Sequence, residues 1–366
     1  MRILHLHSGN LFGGIERILL TLPLHSHGLE HHFALCWEAQ LAGDLQSRGA
    51  PVHRLKPAQL RNPLSVWRTR QSLRTLLSTL QPDALIVHSF WSLALFGAIA
   101  KRSRLPLIFW MHIPFVKKTL IHHLGQRHKP DLVLAVSQET VASVPKIFRD
   151  VRTELFYAPV ARPSLNRAET RARLRRELST PEETNVILQA SRMEPWKGHE
   201  QLLQALADLK SSKPWVAWIA GGPATDQERQ YFQYLGALCV KHGLGERVRF
   251  LGHRSDIASL MTAADLFCQP NIAGEGFSIV FVEAALASLP IITSRIGGAL
   301  ELLDEHNAML VPSGDLPALR SAIKELLEDS VRRQRLGQAG YQRAIQLCDP
   351  ERQLRQLARI VKSLKC

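Results

Sequence analysis

Short runs of consecutive apolar residues recur along the chain, and most are followed by a polar or glycine-rich stretch and then by apolar residues at helical spacing. Continuous apolar runs of this length are typical of strands in a parallel sheet that is covered on both faces. The pattern therefore predicts a series of α/β units, in which ligands bind beyond the carboxyl ends of the strands. The predicted strands lie at 2–7, 32–37, 84–88, 107–110, 132–136, 185–190, 216–223, 248–253, 265–269 and 291–294.

The loop after the strand at 265–269 leads into an apolar helix pattern. Backbone N–H groups at a helix start have no partner within the helix, so those of Gly276, Phe277 and Ser278 are predicted to donate to a ligand that glycine allows to approach closely. Glu283 comes eight residues after Glu275 and lies about 80° further round a helix of 3.6 residues per turn. Both carboxylates are therefore able to face one side.

Ionised carboxylates only accept hydrogen bonds. Two of them beside a row of N–H donors suit a ligand rich in hydroxyl groups, such as a sugar. Glutamates near a helix start also complement the helix dipole without any ligand. Taken alone, the pattern leaves a sugar site and a purely structural role open.

A second glycine-containing loop follows the first strand and ends in Gly13 and Gly14 at a predicted helix start. Its N–H groups and the helix dipole suit a phosphate, although a tight turn explains the doublet equally well. A nicotinamide-binding fingerprint requires Gly-x-Gly-x-x-Gly, and Leu11 occupies the position two after Gly9. A dinucleotide-dependent dehydrogenase is therefore disfavoured.

Two cations, Arg192 and Lys197, occur in the loop after the strand at 185–190. A forked guanidinium and a compact ammonium at the mouth of a sheet suit a diphosphate, and the alternative is ordinary surface charge. We expect Lys197 and Glu283 to be exposed on the loops or faces that border a ligand.

Histidines lie at or just past three strand ends. No carboxylate neighbours these three in sequence and none of them belongs to a His-x-x-x-His pair, so a metal site is disfavoured and polar sheet edges are the alternative. Another group of histidines surrounds Gly28 and is interpreted as a solvated loop. The strand-end histidines are His7, His88 and His112, and the loop histidines are His25, His27, His31 and His32.

Length and composition indicate a globular protein rather than a disordered or membrane-spanning one. With 366 residues, of which 45% are hydrophobic and 21% charged, the chain fits two globular domains. Five widely spread cysteines without a Cys-x-x-Cys pair suggest neither disulfides nor a zinc knuckle, which favours a cytoplasmic location. The longest apolar region, 84–100, is interrupted by polar residues and is too short to span a bilayer.

The chain carries a net charge of +14, and its pI near 10 indicates attraction to polyanions such as anionic lipid. The segment 115–129, called the basic segment below, predicts a basic amphipathic helix that lies on an anionic membrane surface. The same apolar residues also suit packing on the sheet. The cations of this segment include Lys117, Lys118, Arg127 and Lys129.

The spacing of Glu275 and Glu283 around Gly-Phe-Ser resembles the Glu-x7-Glu signature of retaining glycosyltransferase family 4, the group 1 glycosyl transferases. The loop 191–198 resembles the Gly-Arg-x-x-x-x-Lys-Gly loop of that family, with Ser191 in place of the first glycine. His112 aligns with the active-site histidine of the family. The resemblance covers nearly the whole chain, densely in the second half and more loosely in the first.

The resemblance implies the GT-B fold, which consists of two doubly wound parallel-sheet (Rossmann-like) α/β domains with an interdomain cleft. We place the acceptor-side domain at 1–163, because an arginine-rich polar stretch follows that boundary. The nucleotide-sugar-binding domain then covers 164–349. The amphipathic terminal helix, 350–366, is expected to pack back on the first domain.

The resemblance also implies roles for individual residues. His112 hydrogen-bonds the transferred hexose, Glu275 with the following amides holds its hydroxyls, and Glu283 takes the ribose diol. The implied catalytic residues are His112, Glu275, Arg192 and Lys197. The implied donor-binding residues are Gly13, Gly14, Arg192, Lys197, His253, Gly276, Phe277, Ser278 and Glu283.

The implied activity is retaining, metal-independent transfer of a hexose from a nucleotide-diphosphate sugar, for which UDP-glucose is the best guess. This sugar nucleotide is a co-substrate, and no cofactor is expected. The acceptor is expected to be lipid-linked or a polysaccharide, in exopolysaccharide or glycolipid synthesis at the inner face of the plasma membrane, without nucleic acid. The alternatives are a nucleotide-sugar epimerase of the same fold and a non-catalytic basic protein that binds lipid or nucleic acid.

Overall fold

The computed structural model describes residues 1–10, 13–25, 27–116, 119–274 and 276–364. Glu275, Lys117 and Lys118, to which the sequence analysis assigned roles, lie outside the described residues. The chain divides into two compact units. Unit 1 is Met1–Ala161 with Cys348–Cys366, and unit 2 is Arg162–Leu347.

Unit 1 contains a seven-stranded parallel sheet. Its strands are β1 Arg2–His7, β2 Glu30–Leu35, β3 Val52–Arg54, β4 Ala84–Val87, β5 Leu107–Met111, β6 Leu132–Ala135 and β7 Arg152–Leu155. They lie in the order β3-β2-β1-β4-β5-β6-β7, with parallel pairing throughout. Every residue of β4, β5 and β6 is buried, as a sheet covered on both faces requires.

The helices of unit 1 cover this sheet. They are α1 Gly14–Thr21, α2 Gln40–Ser47, α3 Pro63–Leu80, α4 Phe90–Ser103, α5 Leu120–Gln126, α6 Gln138–Ser143 and α14 Pro350–Ser363. Ser89 and Ser137 follow β4 and β6 closely, and each accepts a hydrogen bond from the N–H three residues on, so α4 and α6 start close to the strand ends. In α14 the apolar face, which includes Leu354, Leu357 and Val361, is buried.

Unit 2 contains a six-stranded parallel sheet in the order β10-β9-β8-β11-β12-β13. Its strands are β8 Asn185–Ala190, β9 Trp215–Ala220, β10 Val248–Gly252, β11 Leu266–Gln269, β12 Ile291–Ser294 and β13 Ala308–Val311. Its helices are α7 Arg167–Glu177, α8 His199–Ala207, α9 Asp226–Lys241, α10 Ile257–Ala263, α11 Ile279–Leu286, α12 Leu316–Glu328 and α13 Ser330–Cys348. The predicted architecture of two parallel-sheet α/β domains is confirmed.

Two local predictions in unit 1 are wrong. His31 does not lie in a solvated loop but in β2. His32, which the sequence analysis placed both in that loop and at the start of the strand 32–37, lies in β2 as well, and both side chains are buried. Both side chains are stable inside the sheet because they bond other polar groups there: His31 contacts His5, and His32 contacts His53 and Glu30. The hydropathy pattern does not reveal such partners. The basic segment is not one long helix, since α5 begins only at Leu120 and ends at Gln126. No helix among the described residues is both long and apolar enough to cross a membrane.

Candidate active site

The loop between β8 and α8 holds Lys197 in a defined place. Its residues 195–197 form a 3₁₀ turn, and the buried Gln189 side chain donates to the Lys197 carbonyl oxygen at 2.9 Å. The ammonium of Lys197 lies 3.8 Å from the ring centroid of Trp196, which is cation–π distance. Only 8% of Lys197 is exposed. The expectation of an exposed lysine is therefore wrong, because the preceding tryptophan covers it.

Arg192, on the same loop, has a different environment. Its side chain is 62% exposed, and its guanidinium pairs with Glu194 Oε2 at 2.8 Å. The Glu194 side chain is only 23% exposed and its Oε2 is buried, so a phosphate that takes the guanidinium leaves this oxygen unpaired, which costs more than breaking an exposed pair.

The loop between β8 and α8 is joined backbone to backbone to the loop after β11. The N–H of Ile272 donates to the Trp196 carbonyl oxygen at 2.9 Å. Gly198 has a φ of +78°, and a Cβ at this position would lie 2.0 Å from the Pro270 carbonyl oxygen. A side chain at 198 is therefore excluded both by conformation and by space. The two loops form one unit although about 75 residues separate them in sequence.

The loop after β11 is also fixed from its other side. A Cβ on Gly298 would lie 2.5 Å from the carbonyl oxygen of Gly276. Phe277 is buried, and Ser278 is the N-cap residue of α11. Glu283 is half-buried on α11, so it is less exposed than the sequence analysis expected. The segment 276–278 thus has a definite position at the start of α11.

His253 follows β10 and is exposed. A Cβ on Gly222 would lie 2.9 Å from the His253 backbone nitrogen, and the Gly221 N–H donates to the Gly252 carbonyl oxygen at 2.8 Å. The ends of β9 and β10 therefore lie close together. His253 is placed at the carboxyl edge of the unit 2 sheet, as are the two loops described above.

In unit 1, one carboxylate organises the loop between β1 and α1. Glu16 accepts from His7 Nε2 at 2.7 Å through Oε1 and from the Gly13 N–H at 2.8 Å through Oε2. His7 and Glu16 are both buried. The Gly13 N–H, which the sequence analysis assigned to a phosphate, is therefore engaged by a carboxylate of its own helix.

His112 directly follows β5 and is half-buried. Its Nε2 lies 3.1 Å from His88 Nδ1, and its ring stacks on Trp110. Burial lowers the pKa of His112 to about 3, with a smaller contribution from His7. His112 is therefore a neutral hydrogen-bonding group at neutral pH, not a cation.

Two further histidines extend this contact across the sheet. His88 Nε2 lies 3.0 Å from His5 Nδ1, and His5 Nε2 lies 2.9 Å from His31 Nδ1. The sequence analysis missed His5 and Glu16 and misplaced His31. The spacing of His5 and His7, two residues apart and therefore on one face of β1, was the available signal. Among the described residues, no group of three or more His, Cys, Asp or Glu side chains has an arrangement suited to a metal ion.

Two models of known sequence families match this chain, one in each unit. The model of the family described as "Glycosyl transferases group 1" matches residues 170–343, and that of "Glycosyltransferase Family 4" matches residues 12–160. The chain belongs to the group 1 glycosyltransferases. The family resemblance inferred from the Glu-x7-Glu spacing and the 191–198 loop is confirmed.

Curated relatives of this group 1 glycosyltransferase act on several glycoconjugates. It is 26% identical over 347 residues to the lipopolysaccharide core biosynthesis glycosyltransferase LpsD of Rhizobium meliloti, covering 93% of this chain and 92% of the relative. It is 38% identical to the phosphatidyl-myo-inositol mannosyltransferase of Mycobacterium leprae, covering 40% of this chain and 38% of that protein. The second match thus spans well under half of the relative.

Solved structures establish the fold. This glycosyltransferase superposes on Anabaena HepE in complex with UDP and glucose with a TM-score of 0.84, at 24% identity and with 99% and 100% of the two chains covered. It superposes on a glycosyltransferase from Rickettsia africae with a TM-score of 0.82, at 19% identity and with 99% and 98% covered. The fold is GT-B, as predicted.

Proposed function

We propose that this glycosyltransferase moves a hexose from a UDP-sugar, best UDP-glucose, to a lipid-linked or polysaccharide acceptor, with retention at the anomeric carbon. The observation that carries the proposal is the fixed pair of loops in unit 2: one holds the Lys197 ammonium against Trp196, and the other, joined to it by backbone contacts, leads into the segment 276–278. The structure of HepE, which shares the fold, contains UDP and glucose, and this supports the choice of donor.

In this proposal the chain itself neutralises the departing diphosphate. Lys197 supplies a point charge that is partly shielded from water, and Arg192 supplies a forked donor once it leaves Glu194. The start of α11 adds the positive end of a helix dipole. The sequence contains no Asp-x-Asp motif, so we propose transfer that does not require a metal.

The remaining groups hold the sugar and the ribose. His112 exchanges a hydrogen bond with a hexose hydroxyl, and Glu275 with the amides of Gly276, Phe277 and Ser278 holds the others. Glu283 accepts from the ribose diol, and His253 lies at the base. The acceptor attacks from the side of the leaving group, and the departing phosphate takes its proton. Glu275 is not assigned as a nucleophile.

A panel of UDP-, GDP- and ADP-sugars tests the donor. We expect UDP-glucose or a close UDP-hexose to give the largest thermal shift, because a ligand at 100 times its dissociation constant adds about 2.7 kcal/mol of stability. With an acceptor extract, UDP release should continue in excess EDTA. Tighter binding of GDP-mannose contradicts the donor, and loss of activity that manganese restores contradicts metal independence. An isomerised donor without transfer identifies the epimerase alternative.

We also propose that unit 1 attaches reversibly to an anionic membrane at the basic segment. Near α5, the apolar side chains of Ile113, Val116 and Leu120 are 66%, 89% and 74% exposed, so they do not pack on the sheet. Arg127 and Lys129 are exposed beside them. Lys and Arg near an anionic surface contribute about 1 kcal/mol each.

Sedimentation with vesicles tests this attachment. Binding to anionic vesicles should occur at low salt, fall at high salt, and weaken when Lys117, Lys118, Arg127 and Lys129 are changed to Gln. Changing four exposed lysines of unit 2, Lys210, Lys213, Lys241 and Lys324, to Gln removes the same charge and provides a matched control, which should leave binding nearly unchanged. Equal binding to neutral vesicles, or none to either, favours a soluble acceptor.

A further inference from the structure

Four imidazoles form a continuous hydrogen-bonded chain across the unit 1 sheet, in the order His31, His5, His88 and His112. The three contacts measure 2.9, 3.0 and 3.1 Å. The register of β2, β1, β4 and β5 places all four rings on one face of the sheet. We call this group the histidine wire. Each contact joins Nδ1 of one ring to Nε2 of the next, so all three contacts run in the same direction along the wire.

All four rings are neutral at neutral pH. Burial lowers the pKa of His31 and of His112 to about 3, and it places the pKa of His5 and of His88 well below the usual value. A neutral imidazole has one N–H donor and one bare nitrogen acceptor. Each contact needs one of each, so the proton position on one ring fixes it on the next. The wire is therefore either entirely Nε2–H or entirely Nδ1–H.

The two forms differ at the ends of the wire. Among the described residues, neither His31 Nε2 nor His112 Nδ1 has a hydrogen-bond partner, and both atoms are buried. In the Nε2–H form, His31 has the unused N–H and His112 presents a bare Nδ1. In the Nδ1–H form these roles are reversed. The wire thus decides whether His112 offers an acceptor or a donor at the carboxyl edge of the sheet.

Helix termini favour the Nε2–H form. The helix α4 begins at the carboxyl edge directly after His88, so its positive end favours a bare nitrogen there, whereas at the start of α1 the Glu16 carboxylate offsets the helix dipole. The other end of the wire lies near helix C-termini. His31 lines a cavity of about 400 Å³ together with Pro23, in the 3₁₀ turn after α1, and Arg48, the C-cap residue of α2. Carbonyl ends of helices favour an N–H at that position.

We propose that His31, His5 and His88 are positioning residues that hold His112 in its Nε2–H form, so that Nδ1 is an acceptor. Because this atom is buried in the ligand-free protein, a hydroxyl group hydrogen-bonds to it only after the side chains that cover it move. Only the identity of that hydroxyl, on the transferred hexose, rests on the proposed function. The proton arrangement itself is a property of the ligand-free protein.

Nitrogen-15 NMR of the full chain labelled at histidine tests this arrangement, with signals assigned by single replacements. At neutral pH all four rings should be neutral and Nε2-protonated. His31→Val removes the ring whose Nε2–H lies near the helix carbonyl ends, and each proton arrangement of the remaining three rings then leaves one buried N–H unpaired, at His5 Nε2 or at His112 Nδ1. The preference for the Nε2–H form is therefore lost, and His112 should change to a mixture of Nε2–H and Nδ1–H, although His31 does not touch it. His31→Asn keeps an acceptor near the Nδ1 position and should leave His112 as Nε2–H.

His32→Val is the matched control, because His32 is equally buried on the same strand but bonds His53 and Glu30 instead. It should leave His112 unchanged. The proposal is overturned if the wild-type rings are charged or show both tautomers, or if His112 stays Nε2–H in His31→Val. UDP-sugar turnover should fall at least about twofold in kcat for His31→Val, because only part of the molecules keep the Nε2–H form, and recover in His31→Asn. If the tautomer of His112 changes in His31→Val but kcat does not, the positioning role is overturned. If the wild-type protein does not turn over any UDP-sugar, only the proposed function is contradicted.

Discussion

The two sheets of this glycosyltransferase have the same parallel α/β architecture but carry different chemistry at their carboxyl edges. In unit 1 the edge ends in His112 and His88, which are neutral and belong to a wire of hydrogen-bonded rings. In unit 2 the edge carries Lys197 and Arg192, which are cations. The fold therefore supplies a place for a ligand, while the side chains decide whether that place suits hydroxyl groups or phosphates.

The edges also differ in what makes them rigid. Strand register and ring-to-ring hydrogen bonds fix the groups of unit 1. Backbone contacts between loops fix those of unit 2, and these contacts require glycine at 198 and at 298. Acid should therefore destabilise mainly unit 1, whereas a side chain added at one of these glycines should disturb mainly unit 2.

The largest expected difference is in the response to acid. His5, His31, His88 and His112 stay neutral in folded unit 1, whereas in the unfolded chain they take protons below pH about 6.5. The unfolded state then binds more protons, so the stability of unit 1 falls as the pH falls below 6.5. Each group contributes about 1.4 kcal/mol per pH unit, or about 5–6 kcal/mol per pH unit for the four together.

Hydrogen exchange measured by mass spectrometry at pH 7 and pH 5, corrected for intrinsic rates, checks this difference. Peptides of unit 1 should lose much more protection than those of unit 2, where His199 is the one buried histidine with a lowered pKa among the described residues. His31→Val should reduce the slope. Equal losses in both units contradict the comparison.

The next largest effect is expected from Glu16→Ala. This change removes the shared acceptor of the buried His7 Nε2 and of the half-buried Gly13 N–H, and both donors are then left unpaired. We expect a loss of about 3 kcal/mol of unfolding free energy, measured by denaturant titration. Glu16→Gln keeps an acceptor oxygen and should cost clearly less. Equal losses for the two variants contradict the assigned contacts.

A smaller effect is expected from Gly298→Ala in unit 2. The new Cβ meets the Gly276 carbonyl oxygen, so the segment 276–278 has to shift, at a cost of about 1–3 kcal/mol. The affinity for UDP should fall as well. Gly236→Ala is the control, because its Cβ meets no described atom within 4 Å and it lies inside α9. That change should be neutral or slightly stabilising, and similar behaviour of both variants would show that the loop is not tightly fixed.

The sequence was sufficient to predict the fold because both the apolar strand runs and the site loops are local patterns. The loop 191–198 and the helix start at 278 lie where the pattern placed them. Burial of Lys197 was not predictable, since it depends on how Trp196 folds over the ammonium. The histidine wire was not predictable either, because His31, His88 and His112 meet only through strand register across three different pairings.

The central claim is that unit 2 binds the diphosphate and that His112 of unit 1 acts on the sugar without contributing to UDP binding. Calorimetric titration with UDP and turnover of the UDP-sugar, measured on Lys197→Met and His112→Asn, test it most directly. Lys197→Met keeps the apolar stem and should raise the UDP dissociation constant about 10- to 100-fold, since charged hydrogen bonds contribute about 1.5–3 kcal/mol. His112→Asn should leave UDP binding unchanged and lower kcat. Loss of UDP affinity in His112→Asn, or unchanged affinity in Lys197→Met, would contradict the account.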